Sequence, residues 1–578
     1  MKLRNSIYLV AAGIGMLGLS SCNDFLDTLP DNRAELSKPD LLLAALTDGY
    51  PDANYAVMCE MSSDNIVDNH AKDANGISYD NLPAFDPIDD QIYAWEDADM
   101  NSAQDSPTSL WSGYYHGVAV ANHVLQAIEE FRADGLYTEG EDAEKVDAAY
   151  GEALVMRAFC HFNLVNLFAM QYGKTSESDM GIPYVTEPED EVSPHYERES
   201  VASVYRKIEA DLEEGLKYIT DEHYSQPKFH FNMDAANAFA ARFYLYKRDY
   251  QKVLDYANAV LGSNPAGMMR TYWSKAFTSL DADCADYFSS GSVNNFLLIP
   301  TTSNMLLHMY ISSTGTRYAL NREAAQGSLL GNGPSWRDFN FMPCYSNLYV
   351  NGAQEYGLRP AYMSPFFQYT DKVAGIGYYK AMVAEFTAED VLLMRAEAKI
   401  FMNDIPGAVA DLSVWSESRN NNLSGYEMDP LDDAAITSYY NEASITGKSN
   451  DAIPYNIPAL HIDEICDAVN GVTVTEAMKP YLWCVLHFRR MENICNGRRW
   501  FDIKRFGIEV THVTGHRDAA NTSDVLVWSD KRRAFQVPIE AISAGLEPTD
   551  RGTIMEVTSS MDIPANLVLS NGSSDNKQ

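Results

Sequence analysis

Apolar side chains recur at every third or fourth position along much of the chain between residues 36 and 262, which predicts amphipathic helices. One such run covers residues 111–125, a longer one covers 150–168, and another begins near residue 200. The segment 181–185, Gly-Ile-Pro-Tyr-Val, interrupts the period and predicts a break between helices.

Two stretches each contain two such helices separated by a short turn. The first pair covers about residues 236–260 and turns at 247–249, and the second covers about 391–415 and turns at 403–404. Small residues at facing positions allow antiparallel helices to approach closely. This plan resembles tetratricopeptide-like pairs, which stack because one pair alone cannot bury its apolar face. The sequence therefore predicts a mainly α fold in which helix pairs form an α superhelix.

Residues 263–385 have a different character, since they are rich in Gly, Ser, Asn, Tyr and Phe and contain six prolines. We interpret this segment as irregular loops with short strands, inserted between scaffold segments at about 36–262 and 386–420. The remaining residues, 421–578, are loop-rich to about residue 480 and helical again at 483–507. Residues 36–578 are expected to form a single domain.

The N-terminus has the pattern of a secreted lipoprotein. Lys2 and Arg4 precede an uncharged run at residues 7–19, which is shorter than the ~20 residues of a membrane-spanning helix. Small residues then lead to Cys22, as in a bacterial lipobox, so residues 1–21 are expected to be a lipoprotein signal peptide. Acyl chains such as palmitate on Cys22 would hold the protein on a membrane, with residues 22–35 as a polar tether. The alternative is an ordinary signal peptide with an incidental cysteine.

Charge and cysteine spacing exclude several classes of partner and site. The net charge is −38, and removing residues 1–21, which hold Lys2 and Arg4 and no acid, makes it −40. Such a surface repels nucleic acid and anionic lipid head groups, so neither is expected as a partner. The seven cysteines after Cys22 form no C-x-x-C pair, which argues against a zinc ribbon or a thioredoxin site. Disulfides among them cannot be assigned from the sequence.

Motifs for catalysis or metal binding do not stand out. The chain has no H-E-x-x-H, G-x-S-x-G or P-loop sequence. The acidic pairs at 89–90 and 129–130 could mimic a glycosidase dyad, but exposed pairs are expected among 81 acidic residues. The aspartates at 281, 283 and 286 lack the glycine and terminal glutamate of an EF-hand. We therefore expect no catalytic residue, no metal and no cofactor.

A dense group of charges lies near the end of the last long helical segment. It consists of Arg489, Arg490, Glu492, Arg498, Arg499, Asp502 and Arg505. These residues either bind an anion or form an internal ion-pair network that joins this segment to the scaffold. The mixed signs favour the network, because opposite charges satisfy one another.

Several motifs in a fixed order resemble one protein family. They are Asp24-Phe25-Leu26-Asp27 after Cys22, the helix at 157–165, Gly181-Ile182-Pro183-Tyr184, Arg395-Ala396-Glu397-Ala398, the charged turn at 497–505, and Val537-Pro538-Ile539. Together they resemble the SusD/RagB family of Bacteroidetes outer-membrane lipoproteins over essentially the whole mature chain. One departure is Asn496, where the family pattern has Glu before the glycine, and this puts a local ion pair in doubt.

The resemblance implies a SusD-like fold, a ligand site in the loop-rich half, and a position on the outer membrane facing the cell exterior. It also implies a partner, a SusC-like TonB-dependent barrel transporter, to which the protein passes captured oligosaccharide or polysaccharide. Other functions stay open: a peptide-binding lipoprotein of the same type, a surface glycan hydrolase, or a purely structural helical-repeat adaptor.

Candidate ligand residues are aromatic side chains in loops, because a ring stacks on the flat face of a sugar while polar groups bind its hydroxyl rim. The first candidates are Trp95, Trp273 and Trp336, followed by Tyr93, Tyr272, Tyr310 and Tyr345, with Arg317, Asn321 and Asn340 for the rim. For each ring, packing in the core explains the residue about equally well. Trp111, Trp415, Trp483 and Trp500 fall in regular segments and are expected in the core.

Overall fold

The computed structural model describes most of the chain between residues 36 and 552. The described residues are 36–72, 76, 78–79, 82–99, 104–189, 194–271, 280–310, 316–320, 333–336, 349–350, 354–355, 360–419, 429–441, 458–466 and 473–552. Helices predominate among them, which confirms the predicted mainly α fold. The predicted signal peptide and tether, residues 1–35, lie outside the described residues.

The helices and strands follow one another in this order along the chain. The helices are α1 (Pro39–Asp48), α2 (Ala56–Met61), α3 (Ile88–Tyr93), α4 (Pro107–Ala133), α5 (Glu141–Phe168), α6 (Val201–Gly215), α7 (Met233–Lys247), α8 (Tyr250–Leu261), α9 (Leu280–Tyr287), α10 (Met305–Met309), α11 (Ala388–Phe401), α12 (Ile405–Arg419), α13 (Asp433–Tyr439), α14 (Ile462–Ile465), α15 (Lys479–Glu492), α16 (Arg498–Phe506) and α17 (Ile539–Ser543). The strands are β1 (Val67–Asp68), β2 (Asn295–Thr302), β3 (Tyr318–Ala319), β4 (Tyr349–Val350), β5 (Gln354–Glu355), β6 (Phe366–Asp371), β7 (Ile376–Thr387), β8 (Val510–Thr514) and β9 (Thr522–Leu526).

Local capping signals set where the long helices begin. The hydroxyl of Ser106 accepts a hydrogen bond from the Ser109 amide, and the Ser109 hydroxyl accepts one from the Ser106 amide. Pro107 occupies the first turn of α4, where a missing amide donor costs nothing. The Asn232 side chain caps α7 in the same way, accepting from the Ala235 amide at 2.9 Å.

The two predicted helix pairs are confirmed. α7 and α8 turn at Arg248, and α11 and α12 turn next to Asn403, and both residues adopt a left-handed backbone with φ of 67° and 61°. The pairs stack on each other through α8 and α11, where the rings of Tyr250 and Phe401 lie parallel with centroids 4.3 Å apart. Stacking buries the apolar face that one pair would leave in water.

The largest sheet is antiparallel with strand order β2–β7–β6. β7 is 12 residues long and runs directly into α11, whose N-cap is Thr387. This regular strand differs from the predicted irregular loops with short strands over 263–385. Its second half pairs with β2 and its last four residues are buried, and the ring centroid of Phe386 lies 6.1 Å from those of Phe159 and Phe239 in the helical core.

In the part of the chain that the structure describes, the other sheets are short two-stranded pairings, β1–β3, β4–β5 and β8–β9. The helical core includes Trp415, Trp483 and Trp500, which are buried as predicted, whereas Trp111 is only partly buried. The pairing of β1 with β3 joins the N-terminal part of the chain to the loop-rich insertion. That junction positions the candidate site.

Candidate functional site

The junction between the N-terminal region and the loop-rich insertion is built on two residue pairs. Val67 lies opposite Ala319 and Asp68 lies opposite Tyr318 in the antiparallel β1–β3 ladder. The Asn69 amide extends it by donating to the Arg317 carbonyl oxygen at 2.8 Å. Side chains from both segments therefore meet at one place.

Arg317, a predicted rim residue, is the centre of a polar group that we name the Arg317 cluster: Arg317, Asp68, Asp90 and Tyr318. The Arg317 guanidinium donates to both carboxylate oxygens of Asp68 at 3.0 and 2.9 Å and to Asp90 at 2.9 Å. The Tyr318 hydroxyl donates to the same Asp90 oxygen at 2.6 Å. The cluster is thus a fixed network rather than a set of independent side chains.

The electrostatics of the cluster keep Arg317 charged. Burial opposes its charge, but the hydrogen bonds to Asp68 and the attraction of nearby Asp90 outweigh burial and raise the pKa of Arg317. The Arg317 side chain is 17% exposed and that of Asp90 is 52% exposed. The cluster therefore presents one edge to solvent, where a hydroxylated ligand can exchange hydrogen bonds with Asp90.

Tyr93 and Trp95, two predicted stacking residues, lie in the core. Both rings stack on His512, each with a centroid distance of 4.1 Å, so that the imidazole is enclosed between them. The Trp95 indole donates to the Ser62 carbonyl oxygen at 2.9 Å, and only 2% of each residue is exposed. These rings have no face open to a ligand in this structure, and their contacts join α3 to β8.

Tyr310 and Trp336 are also buried. Tyr310 is 6% exposed and Trp336 is 3% exposed, and the Trp336 ring contacts His487 and Phe488 of α15 at 5.7 Å. Trp336 thus packs the insertion against α15, and Tyr310 is part of the buried core. The other predicted ligand residues, Tyr272, Trp273, Asn321, Asn340 and Tyr345, lie outside the described residues.

The structure exposes a different set of aromatic residues, which sequence reasoning missed. They lie on the β6–β7 hairpin and are Phe366, Phe367, Tyr369, Tyr378 and Tyr379. The signal was present in the sequence as two aromatic-rich runs around the turn at 372–375. The prediction of an irregular segment overlooks the alternation of these side chains between the two faces of a strand.

The arginine-rich group at 489–505 is an internal ion-pair network, as predicted. Arg489 pairs with Asp502 at 2.9 Å, and Arg499 and Arg490 pair with Asp64 at 2.8 and 3.5 Å. Burial opposes ionisation of Asp64, but the two arginines outweigh it and hold its pKa below the ordinary value. These pairs join α15 and α16 to the N-terminal segment and serve the scaffold.

The charged turn that carries Asn496 is closed by an acid from elsewhere in the chain. The Glu60 carboxylate of α2 accepts hydrogen bonds from the amides of Cys495 at 2.7 Å and Gly497 at 3.1 Å, and from Asn65 at 2.8 Å. The Asn496 side chain accepts from the Arg498 amide at 3.1 Å. The turn is thus held without an acid directly before the glycine.

Groups that could bind a metal are sparse among the described residues. Glu144, Glu222 and His223 place ligand atoms within 4.8 Å of one another, but both carboxylate residues are exposed. The aspartates at 281, 283 and 286 fall on α9, where a helix replaces the loop that an EF-hand requires. Cys160 is buried, and the described cysteines are thiols rather than disulfides.

Among the helices of the described ranges, none combines the length and the apolar character that crossing a membrane requires.

Comparisons with known proteins by sequence and by fold both find SusD-like proteins. Residues 24–245 match a SusD-like family model described as "Starch-binding associating with outer membrane". No curated protein matches the sequence. A SusD superfamily protein from Bacteroides thetaiotaomicron shares 16% identity with a TM-score of 0.54, over 89% of this chain and 99% of that one. For SusD superfamily proteins from Bacteroides vulgatus and Bacteroides fragilis, the identities are 19% and 17% and the TM-scores 0.53 and 0.54. Each alignment covers 88% of this chain and 98% of the other.

At these identities the solved structures establish the fold, and the family model establishes the kinship of the N-terminal part. Both agree with the stacked helix pairs and with the motifs of the sequence. Residues 24–245 are thus similar to the SusD-like family model, and the fold is similar to that of solved SusD superfamily structures.

Proposed function

We propose that this protein is a cell-surface nutrient-binding lipoprotein. It captures oligosaccharide or polysaccharide without cleaving it and delivers it to a SusC-like TonB-dependent transporter in the outer membrane. The observation that carries the proposal is the match of residues 24–245 to a family described as starch-binding and associated with the outer membrane. The lipobox at Cys22 and the acidic surface, which disfavours nucleic acid and anionic lipid, agree with it.

Capture is placed in the loop-rich half. In this proposal Trp273, Tyr272 and Tyr345 stack on sugar rings, and Asn321 and Asn340 bind hydroxyl groups. The exposed edge of the Arg317 cluster adds rim contacts. Tyr93, Trp95, Tyr310 and Trp336 have a structural role in this proposal, because their rings are covered by protein.

Affinity electrophoresis in native gels tests the binding function. Mature protein is run through gels containing amylopectin or another neutral polysaccharide, beside gels without polysaccharide. Retarded migration in at least one gel, with no release of soluble sugar on long incubation, is the expected result. Release of product would identify a hydrolase, and retention of peptides alone would identify the peptide-binding alternative.

The lipid anchor is tested by Cys22→Ala in the full-length chain. Without the thiol no acyl chain can be attached, so the variant should leave the membrane fraction and the detergent phase. Ser21→Ala serves as the matched control and should stay in both. A Cys22→Ala protein that still partitions with detergent would rule out the anchor.

Delivery to a transporter is tested by pull-down from detergent-solubilised outer membranes. The full-length lipoprotein should recover a barrel protein of the TonB-dependent class. Recovery of no barrel protein, with glycan binding intact, would remove the delivery step and leave the capture step.

A further inference from the structure

The β6–β7 hairpin extends beyond the rest of its sheet as a two-stranded arm. β2 pairs with β7 only from Lys380 to Thr387, whereas β6 pairs with the preceding part, from Ile376 to Lys380. All six residues of β6 are exposed. Because isolated two-stranded ribbons gain little from burial, exposed aromatic residues on such an arm require another explanation.

Three aromatic rings lie on one face of this arm, which we name the aromatic face: Phe367, Tyr369 and Tyr379. Phe367 lies directly opposite Tyr379, and Tyr369 lies opposite Gly377, so these positions share one side of the ribbon. The Phe367 ring contacts Tyr369 at 4.9 Å and Tyr379 at 5.2 Å, both edge to face. The rings therefore form one connected surface.

Gly377 fixes the shape of that surface. A Cβ atom at this position would lie 2.8 Å from the Phe367 ring and 2.1 Å from the Gln368 carbonyl oxygen. The ring of Phe367 can lean over Gly377 only because no side chain stands there. The exposed fraction of the residue is 37% for Phe367, 52% for Tyr369 and 51% for Tyr379.

The charged residues of the hairpin are Asp371 and Lys372 at its tip and Lys380 at its base. The Asp371 carboxylate accepts hydrogen bonds from the amides of Val373 and Ala374 at 2.8 and 2.9 Å, which closes the tip. Lys380 lies opposite Phe366, on the other face, and pairs with Asp52 at 2.5 Å. The three residues that define the aromatic face are themselves uncharged and present rings and tyrosine hydroxyls, in a protein with a net charge of −38.

The size and neutrality of this face favour a small neutral occupant. Aromatic side chains offer about 150–250 Å² each, so three rings at the observed exposure present roughly 300 Å². A stable protein interface buries about 800 Å² on each partner, which is well beyond this area. A pyranose ring has a flat C–H face for the rings and hydroxyl groups for the tyrosines, and it requires no counter-charge.

We propose that the aromatic face of the β6–β7 hairpin is a carbohydrate-binding surface that stacks the sugar rings of a neutral glycan. It lies on the arm, apart from the Arg317 cluster, and gives a long glycan a second point of attachment. This inference rests on the proposed function, since it requires that the protein binds glycan.

Matched variants of the mature chain test the two faces of the arm against each other. One carries Phe367→Ala, Tyr369→Ala and Tyr379→Ala, and the control carries Phe366→Ala, Gln368→Ala and Tyr378→Ala on the opposite face. A third variant, Tyr369→Phe with Tyr379→Phe, keeps the rings. Dissociation constants are measured in gels that contain amylopectin. They are also measured with any other neutral polysaccharide that retards the wild type. Circular dichroism and thermal melting check the fold.

The Kd of the aromatic-face variant should rise at least about tenfold, because a loss of about 1.4 kcal/mol of binding free energy raises Kd tenfold. The opposite-face and ring-keeping variants should stay within about threefold of the wild type, or under about 0.7 kcal/mol. Wild-type affinity in the aromatic-face variant would overturn this inference and leave the proposed function standing. Equal losses on both faces, or loss of a protein partner with glycan affinity intact, would also overturn it. A wild type that binds no polysaccharide would overturn both proposals.

Discussion

Glu60 shows how a single buried side chain joins distant parts of this chain. Its carboxylate closes the turn at 495–497 from α2, and burial raises its pKa to about 7 from an ordinary value of 4.5. The folded protein therefore holds this proton more tightly than the unfolded chain does. The stability from this proton is complete below about pH 4.5 and is lost as the pH rises through about 7.

Replacing Glu60 with Gln should lower the melting temperature. A glutamine has one oxygen acceptor, so its NH₂ group must face one of the amide donors that the carboxylate satisfies. An unsatisfied buried donor costs about 1–3 kcal/mol. Differential scanning calorimetry measures the change, and Glu139→Gln, at an exposed position, is the control. Equal melting of the two variants would mean that Glu60 does not hold the turn.

His308 is a second buried polar residue with a consequence for stability. Its Nδ1 lies 2.6 Å from the Asp89 carboxylate and its Nε2 lies 3.6 Å from Asp105, and all three residues are buried. Burial alone would lower the pKa of His308, but the hydrogen bond and charge of Asp89, with the charge of Asp105, raise it above 6.5. The histidine thus joins α3 and α10 to the start of α4.

The upward shift of the His308 pKa determines how the stability loss in His308→Gln depends on pH. A raised histidine pKa contributes stability that is complete below the unfolded value of 6.5 and is lost as the pH rises through the folded value. The variant should lose about 3–5 kcal/mol near pH 6, because two carboxylates stay buried without a cation, and less near pH 9. Melting curves across pH, beside the exposed control His116→Gln, give the comparison. A loss that stays constant with pH would contradict an ion pair.

At the scale of elements, small residues determine how closely the helices approach. Gly117 of α4 packs against α5 and the end of α1, where a Cβ atom would lie 2.6 Å from the Gly49 carbonyl oxygen and 2.7 Å from the Cys160 sulfur. The nearest atom belongs to the backbone, which cannot move aside without shifting a helix. Glycine here serves close packing rather than an unusual backbone conformation.

Gly117→Ala should therefore destabilise the protein although alanine favours helices. Overpacking of this kind costs about 1–3 kcal/mol, which exceeds the gain in helix propensity of about 1 kcal/mol. Ser112→Ala on the exposed side of α4 is the control and should be neutral or slightly stabilising. Thermal melting compares the two, and a Gly117→Ala protein as stable as the wild type would show that α1 can shift freely.

For the whole molecule, charge is the dominant long-range property. The chain has 81 acidic and 43 basic residues, so the folded surface repels itself. Many of the arginines are buried in ion pairs with acids, which salt screens only weakly. The response to salt should therefore come mainly from the exposed excess of negative charge.

Raising the salt concentration should raise the melting temperature of the mature protein. At an ionic strength of 0.1 M, charges more than about 10 Å apart are largely screened, so self-repulsion weakens while short buried pairs persist. Melting is followed from about 0.02 to 0.5 M NaCl, a range over which the screening length shortens severalfold. Choline chloride should act equally if screening is the cause. A falling melting temperature would mean that exposed ion pairs contribute more than self-repulsion costs.

The sequence by itself determined the helical scaffold, whereas the lipoprotein N-terminus stays a prediction. The pairs α7–α8 and α11–α12 were predictable because a helix buries one stripe of side chains, and that stripe recurs locally along the chain. The mixed charges at 489–505 likewise indicated that they pair with one another. These features depend on neighbours within a few turns, and a sequence records such neighbours directly.

Only the tertiary structure decided which aromatic residues are covered and which are exposed. Trp95 follows a short helix in a polar stretch, and its burial depends on His512, which comes from β8 at the far end of the chain. Phe367 and Tyr379 lie in a segment that the sequence predicts to be irregular, and their exposure follows from β2 ending at Thr302, before it reaches them. Burial in loops is a property of contacts between distant segments, and no local period reports it.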